Sequence, residues 1–321
     1  MKFRSEVKID ASPIKIGHKQ PVFASGSCFA THIGKRLEEV KFDLSLNPFG
    51  IVYNPISLSR QYDLLLKKEA IDETRFLEHQ DRTLHFDFHS ELWGSSREDW
   101  KAKYINILKE GHSKLLASEV LIWTLGTSIA YRYSDGYFVA NCHKQKSDQF
   151  SKEMIEVQEM YAVLSPLIKS LKKQKIILTV SPIRHTKDGL IHNTRSKARL
   201  IEVAHLLASK FDEVDYFPSY EIMMDDLRDY RFYEKDLIHP SEMALDYIWE
   251  KFSDTYFTQE SVQLIKAIDK IRTAYHHRPF HSDSGAFQSF CKTQIEKIDQ
   301  LTKVHSYLDF KKELEHFQTY L

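Results

Sequence analysis

The chain has 321 residues with 45 basic and 45 acidic side chains, so its formal net charge is zero. That balance argues against nucleic acid or an anionic membrane surface as a partner held by bulk charge. With 42% hydrophobic and 28% charged residues it reads as a globular chain, one large domain or one domain with an appendage. The longest apolar runs are strand-sized, which predicts no transmembrane helix. Residues 1–10 alternate charged with apolar side chains and show no signal-peptide core. Three widely spaced cysteines suggest no disulfide framework and point to a reducing cytoplasm.

An entry arm, residues 1–19, precedes the first core strand, Val22 to Ser25. Gly26 then permits a sharp turn, and Ile33, Leu37 and Val40 have helical spacing. Ser27 and Cys28 therefore stand at the mouth of a helix predicted over 31–40, where free N–H groups favour negative charge. Ser27 can cap that helix and Cys28 can pack as a small apolar residue; either can also be a nucleophile. A second strand, 42–46, runs into Asn47-Pro48-Phe49-Gly50-Ile51-Val52-Tyr53-Asn54-Pro55. Its prolines, asparagines and glycine make that a structured loop, followed by a helix over 57–69.

Residues 75–79 and 83–88 read as a hairpin, ending in Asp87-Phe88-His89. A helix over 97–116 leads to the buried strand Val120 to Leu125, closed by Gly126-Thr127-Ser128. A second hairpin, 129–133 with 137–140 across Ser134-Asp135-Gly136, delivers Asn141-Cys142-His143. A long amphipathic helix is predicted from Met154 to Leu171. The strand 175–180 ends in Ser181-Pro182-Ile183-Arg184-His185, and a helix over 194–211 leads to a fifth strand, 214–217. A polar, aromatic connection ends in Asp236-Leu237-Ile238-His239-Pro240, where Pro240 is placed to open a helix. From about Thr258 the pattern is two or three helices. The expected division is an α/β domain over 1–257, with hairpin insertions near 75–90 and 129–141, and a helical extension over 258–321.

Five strands alternating with helices predict a three-layer α/β/α sandwich around a mainly parallel, flavodoxin-like sheet. Ligands of such sheets bind beyond the carboxyl ends of the strands. There the chain places Ser27 and Cys28, then Gly50, then Gly126 to Ser128, then Arg184 and His185, and last Asp236 and His239. Acyl transfer needs a nucleophile, a base, a group that orients the base, and donors for an oxyanion. Asp236 and His239, three apart, can orient and act as base; in isolation such a pair more often caps and packs.

Together these motifs resemble the SGNH (GDSL-like) hydrolase superfamily. Its first strand ends in Gly-Asp-Ser, a glycine and an asparagine complete the oxyanion hole, and a late Asp-x-x-His block gives acid and base. More closely still, the chain resembles the GSCFA family, whose motif stands here as Gly26-Ser27-Cys28-Phe29-Ala30. The likeness extends through Asn47 to Gly50, Gly126 to Ser128, Asn141 to His143, Ser181 to His185, and Tyr216 to His239-Pro240, covering about residues 20–255. It implies a hydrolase or acyltransferase acting on an ester or thioester, with acylated carbohydrate among the candidate substrates, or else an SGNH-fold binding protein that has lost catalysis. The implied catalytic set is Cys28 or Ser27, Asp236 and His239, with Gly50 and Ser128 at the oxyanion hole.

Aligned on glycine, the serine slot of the superfamily holds Cys28, and this register favours Cys28 over Ser27. A thiolate at a helix N-terminus beside a histidine is chemically sound. The oxyanion-hole asparagine is replaced by Ser128, and Asn141 can substitute for it. Asn141, His143, Arg184, His185 and His89 are expected to contact substrate. Asp87, His89, Cys142, His143 and His185 include metal-ligand types, but their spacing is not that of a metal site, so no metal and no cofactor are expected. The expected partner is a small-molecule or carbohydrate ester, with no nucleic acid and no membrane, and the oligomeric state stays open.

Overall fold

Five apolar runs bounded by turn residues pair into one wholly parallel sheet. They are β1 (Val22–Gly26), β2 (Leu44–Leu46), β3 (Val120–Leu125), β4 (Lys175–Val180) and β5 (Val214–Phe217). The computed structural model describes residues 4–171, 173–281 and 283–321. The strand order is β5-β4-β3-β1-β2, which is the flavodoxin-like order and reverses direction between β1 and β3. β1 pairs with both neighbours across that reversal, Val22 opposite Leu44 on one side and Val120 on the other.

Alternate side chains of each strand enter opposite cores. Phe23, Leu121, Trp123 and Leu178 face one core, while Val22, Ala24, Ile122 and Ile177 face the other. The second core is covered by α1 (Cys28–Glu39). The first is covered by α2 (Pro55–Lys67), α3 (Arg97–Ala117), α4 (Val157–Ser170) and α5 (Leu190–Lys210). α6 (Glu242–Tyr256) returns to the α1 side through Leu245, Ile248 and Phe252. The three central strands, buried on both faces, read as near-continuous apolar runs, while the edge strands β2 and β5 are partly exposed.

Three further helices, α7 (Gln259–His276), α8 (Gly285–Val304) and α9 (Lys311–Gln318), enclose a third core around Ile268, Cys291, Ile298 and Phe317. They join the body through the Lys41–Glu313 ion pair at 2.6 Å and an Arg272–Glu39 pair. Ile265 of α7 sits in the core beneath α1, while its neighbours Leu264 and Ile268 sit in the third core. Among the described residues no helix is long and apolar enough to cross a membrane.

Two small antiparallel sheets are inserted. Residues 76–79 pair with 82–85 through a turn in which Gln80 and Asp81 have positive φ. Residues 129–133 pair with 138–139, as the Asp135-Gly136 signal predicts, and on the other edge with 150–154. That last strand replaces the first turn expected for the long helix, which starts at Val157 instead of Met154. The cause is a distant partner: the 129–133 strand offers an edge that Phe150 to Met154 can complete. Asp87 ties the insertions together, accepting from Arg60 at 2.7 Å and from Tyr137 Oη at 2.7 Å. Arg60 and Arg75 each lie about 4 Å from the Tyr137 ring centroid.

The tightest point of the sheet is at the end of β1. Gly26 has φ +140°, and a Cβ there would lie 2.2 Å from the Thr124 carbonyl oxygen of β3. Gly26→Ala is therefore expected to lower stability by about 2–4 kcal/mol, combining a forbidden backbone conformation with a backbone collision. A fall in the urea midpoint at unchanged m-value is the measurement that checks it.

Candidate active site

Past that contact the chain turns directly into α1. Ser27 N–H donates to Thr124 O at 3.0 Å, and Ser27, extended at φ −70° and ψ 178°, caps the helix by accepting the Phe29 N–H. Ser27 is 1% exposed and lies beneath the site. Cys28 is the first residue of the helix. Its N–H has no acceptor among the described residues, as expected in a first turn.

Cys28 lines a cavity of about 440 Å³ beyond the carboxyl ends of β1, β3 and β4. Tyr53, Asn54, Thr127, Arg184, His185 and His239 also face it. Cys28 Sγ lies 3.4 Å from Tyr53 Oη. Burial, reinforced by the hydrogen bond with Cys28, pushes the Tyr53 phenol above its ordinary range, so it keeps its proton and can donate to the sulfur.

The loop between β2 and α2 fixes this floor by hydrogen bonds to the strand backbone. Asn47 N–H donates to Ala24 O and its Oδ1 accepts Gly26 N–H, both at 2.8 Å. Val52 N–H donates to Gly26 O, and Tyr53 O accepts the N–H groups of Gly126 and Thr127. The loop thus bridges β1 and β3 at the point where strand order reverses. Within it Gly50 has φ +80°, and a Cβ would fall 2.4 Å from His89 Cβ.

Asp236 and His239 form a tight turn in which Leu237 has φ +57°. His239 Nδ1 lies 2.7 Å from Asp236 Oδ2, and Asp236 Oδ1 accepts the N–H groups of Ile238 and His239. The His239 N–H and side-chain bonds and the Ile238 N–H draw the Asp236 carboxyl down to about 2. A carboxylate accepts only, so Nδ1 carries a proton, and the neutral form of the ring presents a lone pair at Nε2. Nε2 has no protein partner among the described residues.

The remaining sequence-derived candidates fall in three places. Arg184 and His185 line the cavity with Cys28 and His239. Ser128 is fully buried, with its N–H and Oγ on Ser196 Oγ of α5 at 2.8 and 3.2 Å. Gly50 N–H is taken by Asn47 O at 2.7 Å. His89, Asn141 and His143 lie outside the lining, and Asn141 and His143 form a separate cluster around Ser90. Asn141 Nδ2 donates to Ser90 Oγ, Asn141 Oδ1 accepts the His143 N–H, and His143 Nε2 meets His85 O. Burial drives His143 down to about 4, so it is neutral at physiological pH. Among the described residues no three His, Cys, Asp or Glu side chains converge as a metal would require.

Two residues that sequence reasoning did not single out stand in the site. Asn54 caps α2, its Oδ1 accepting Ser57 N–H at 2.9 Å, and this fixes the amide orientation. Its Nδ2 has no protein acceptor among the described residues, and the residue lines the cavity. Asn followed by Pro at a helix start signals a cap, and nothing in the sequence marks the second function of its amide. Lys197 of α5 is buried beneath the cavity, donating to Gly126 O at 2.6 Å and Ser181 O at 2.7 Å. It stitches the carboxyl ends of β3 and β4 together.

Burial pushes Lys197 from 10.5 down to about 7. Between those values the unfolded chain holds a proton that the folded chain lacks, so stability from this group rises with pH and is lost as pH falls through about 7. Relative to Lys197→Met, the native chain is expected to gain up to about 1.4 kcal/mol per pH unit in that window. Urea midpoints of both proteins across the window check the slope.

A family model described as the GSCFA family matches residues 21–252, more than half of the chain. A second, described as GSCFA domain protein, C-terminal domain, matches residues 268–321. No curated protein is significantly similar to the chain.

Proposed function

The chain belongs to the GSCFA family, and on that premise we propose that it is a cysteine-dependent hydrolase or acyltransferase acting on ester or thioester bonds with an SGNH-like site. One observation carries this reading. Cys28 at the N-terminus of α1 shares a cavity at the sheet's reversal point with His239, whose ring is held by Asp236 at 2.7 Å. The apolar part of the lining, Ile129, Val139, Ala140, Ile183 and Ile238, suits an acyl group. A free thiol in this role suits a reducing compartment, and the cytoplasm is the proposed location.

His239 Nε2 takes the thiol proton, and the sulfur, beside Tyr53 Oη at the N-terminus of α1, attacks the substrate carbonyl carbon. The developing oxyanion is held by Cys28 N–H and Asn54 Nδ2, two donors not committed elsewhere. The carbon–oxygen bond breaks, His239 returns its proton to the departing alkoxide, and an acyl thioester remains on Cys28. Water or an acceptor hydroxyl, deprotonated by His239, then attacks that thioester. The Cys28 thiolate leaves and regains its proton from His239.

Cys28→Ala and His239→Ala are each expected to reduce turnover of small acyl esters by about 10³-fold or more. Ser27→Ala is expected to spare the acyl-enzyme and cost about 1 kcal/mol of stability as a lost cap. Activity unchanged by all three replacements would remove the reading. A thiol-directed acylating probe that labels Cys28, identified by mass spectrometry, checks the nucleophile directly.

The second reading, an SGNH-fold binding protein without catalysis, draws on the engagement of Gly50 N–H and the burial of Ser128. Asn54 separates the two. Asn54→Ser keeps a capping oxygen for Ser57 N–H and deletes the amide, and it is expected to lower kcat by about 10²–10³ with little change in KM. A folded preparation that turns over no member of a broad acyl-ester panel would favour the binding reading.

A further inference from the structure

The rim of the cavity carries charge that the acyl-transfer chemistry does not use. Arg184 lines this cavity and also a smaller neighbouring one of about 250 Å³. Its guanidinium carbon stands 4.1 Å from the Tyr233 ring centroid and 5.4 Å from that of Tyr230. The guanidinium thus lies over two aromatic rings, a favourable place for a cation. Lys187 lies on the same lining, at an exposed position. Among the described residues neither cation pairs with a carboxylate. Asp188 is the carboxylate of the lining, and it is taken by Lys152. Asp229, on the smaller cavity, accepts the Arg231 N–H and pairs with the Arg231 guanidinium. His185 is driven down to about 4, chiefly by burial and then by Lys197, so it adds no charge at neutral pH.

In a chain with no net charge, a ligand cavity edged by two unpaired cations is a local feature that calls for a complementary group. A guanidinium held against aromatic rings and unpaired presents a fork of N–H donors, which carboxylate and phosphate oxygens match two at a time. We propose that the substrate of this cavity carries an anionic group, a carboxylate or a phosphate, alongside its acyl carbonyl, and that Arg184, assisted by Lys187, binds that group. The inference rests on the reading of the cavity as an acyl-transfer site. Arg184 is then a specificity-determining residue, outside the bond-making steps, and a neutral ester of the same size is a poorer substrate.

The test uses the thiol itself. Cys28 in the full chain is alkylated with iodoacetate and with iodoacetamide, and the two rates are read at that residue by mass spectrometry against a free thiol. The iodoacetate-to-iodoacetamide rate ratio at Cys28 is expected to exceed that of the free thiol by about tenfold, the equivalent of about 1.4 kcal/mol. It is expected to collapse toward the free-thiol value in Arg184→Gln and to fall part of the way in Lys187→Gln. Succinate and methyl phosphate, tried separately as protectants against iodoacetamide, distinguish carboxylate from phosphate recognition. The better protectant is expected to lose its effect in Arg184→Gln.

A ratio equal to that of the free thiol, or one unmoved by either replacement, overturns the proposal. So does a Cys28 that neither reagent reaches, because the cavity is then closed to ligands. Hemisuccinate and butyrate esters of one alcohol give the second readout. Arg184→Gln is expected to raise KM for the hemisuccinate alone. A charge preference in alkylation without turnover of either ester would leave anion recognition standing and remove the acyl-transfer reading.

Discussion

The close approach of β1 and β3 at Gly26 is the constraint on which the carboxyl edge of the sheet depends. No side chain fits there, because Thr124 O occupies the space of a Cβ. The contact lets Ser27 N–H reach that same oxygen and fixes where α1 begins. Once the helix start is fixed, the register of its first turn decides which side chain goes down and which faces the cavity. The loop over residues 47–54 is locked to the same place, since both the N–H and the carbonyl of Gly26 are bonded to it. Cys28, Tyr53 and Asn54 thus hold their relative positions mainly through bonds to the Gly26 and Tyr53 backbone, with the Cys28 Sγ–Tyr53 Oη contact added on top.

The architecture was legible because its signals are local. Five apolar runs of strand length, each closed by Gly, Pro, Ser or Asn, leave few alternatives to a covered parallel sheet. The Asp135-Gly136 turn was equally readable. The strand at 150–154 was not, because Ser151, Lys152 and Glu153 carry no apolar alternation of their own, and only the exposed edge at 129–133 makes them a strand. α1 starts three residues earlier than expected because its cap is Ser27, a local signal that the sequence did carry.

The site divides along the same line. The spacing from Asp236 to His239 within one turn is a local fact, and the turn brings the two side chains into contact. Which of Ser27 and Cys28 faces the cavity depends on helix register, for which the sequence favoured Cys28, and Cys28 is the one on the lining while Ser27 is buried. The placement of Ser128 depends on a partner across a layer, Ser196 Oγ, while the Gly50 N–H is taken inside its own loop by Asn47 O, a turn detail that residue type alone does not show. Asn54 was hidden by doing two things at once, since its carbonyl oxygen satisfies the helix and only its amide nitrogen is left over. Lys197 was hidden because a lysine in an amphipathic helix reads as a solvated residue until its carbonyl partners are known.

α7 gives one face to the core beneath α1 and the other to the core of the last three helices. Neither core is complete without that helix. The carboxyl-terminal helices are therefore not a removable cap, and the two parts are expected to melt together in one transition. A chain cut after α6 would expose the apolar surface around Ile265 and lose the ion pairs on Lys41 and Glu39. The helices that follow the α/β region act as a brace on the layer that carries Cys28, some distance from any chemistry.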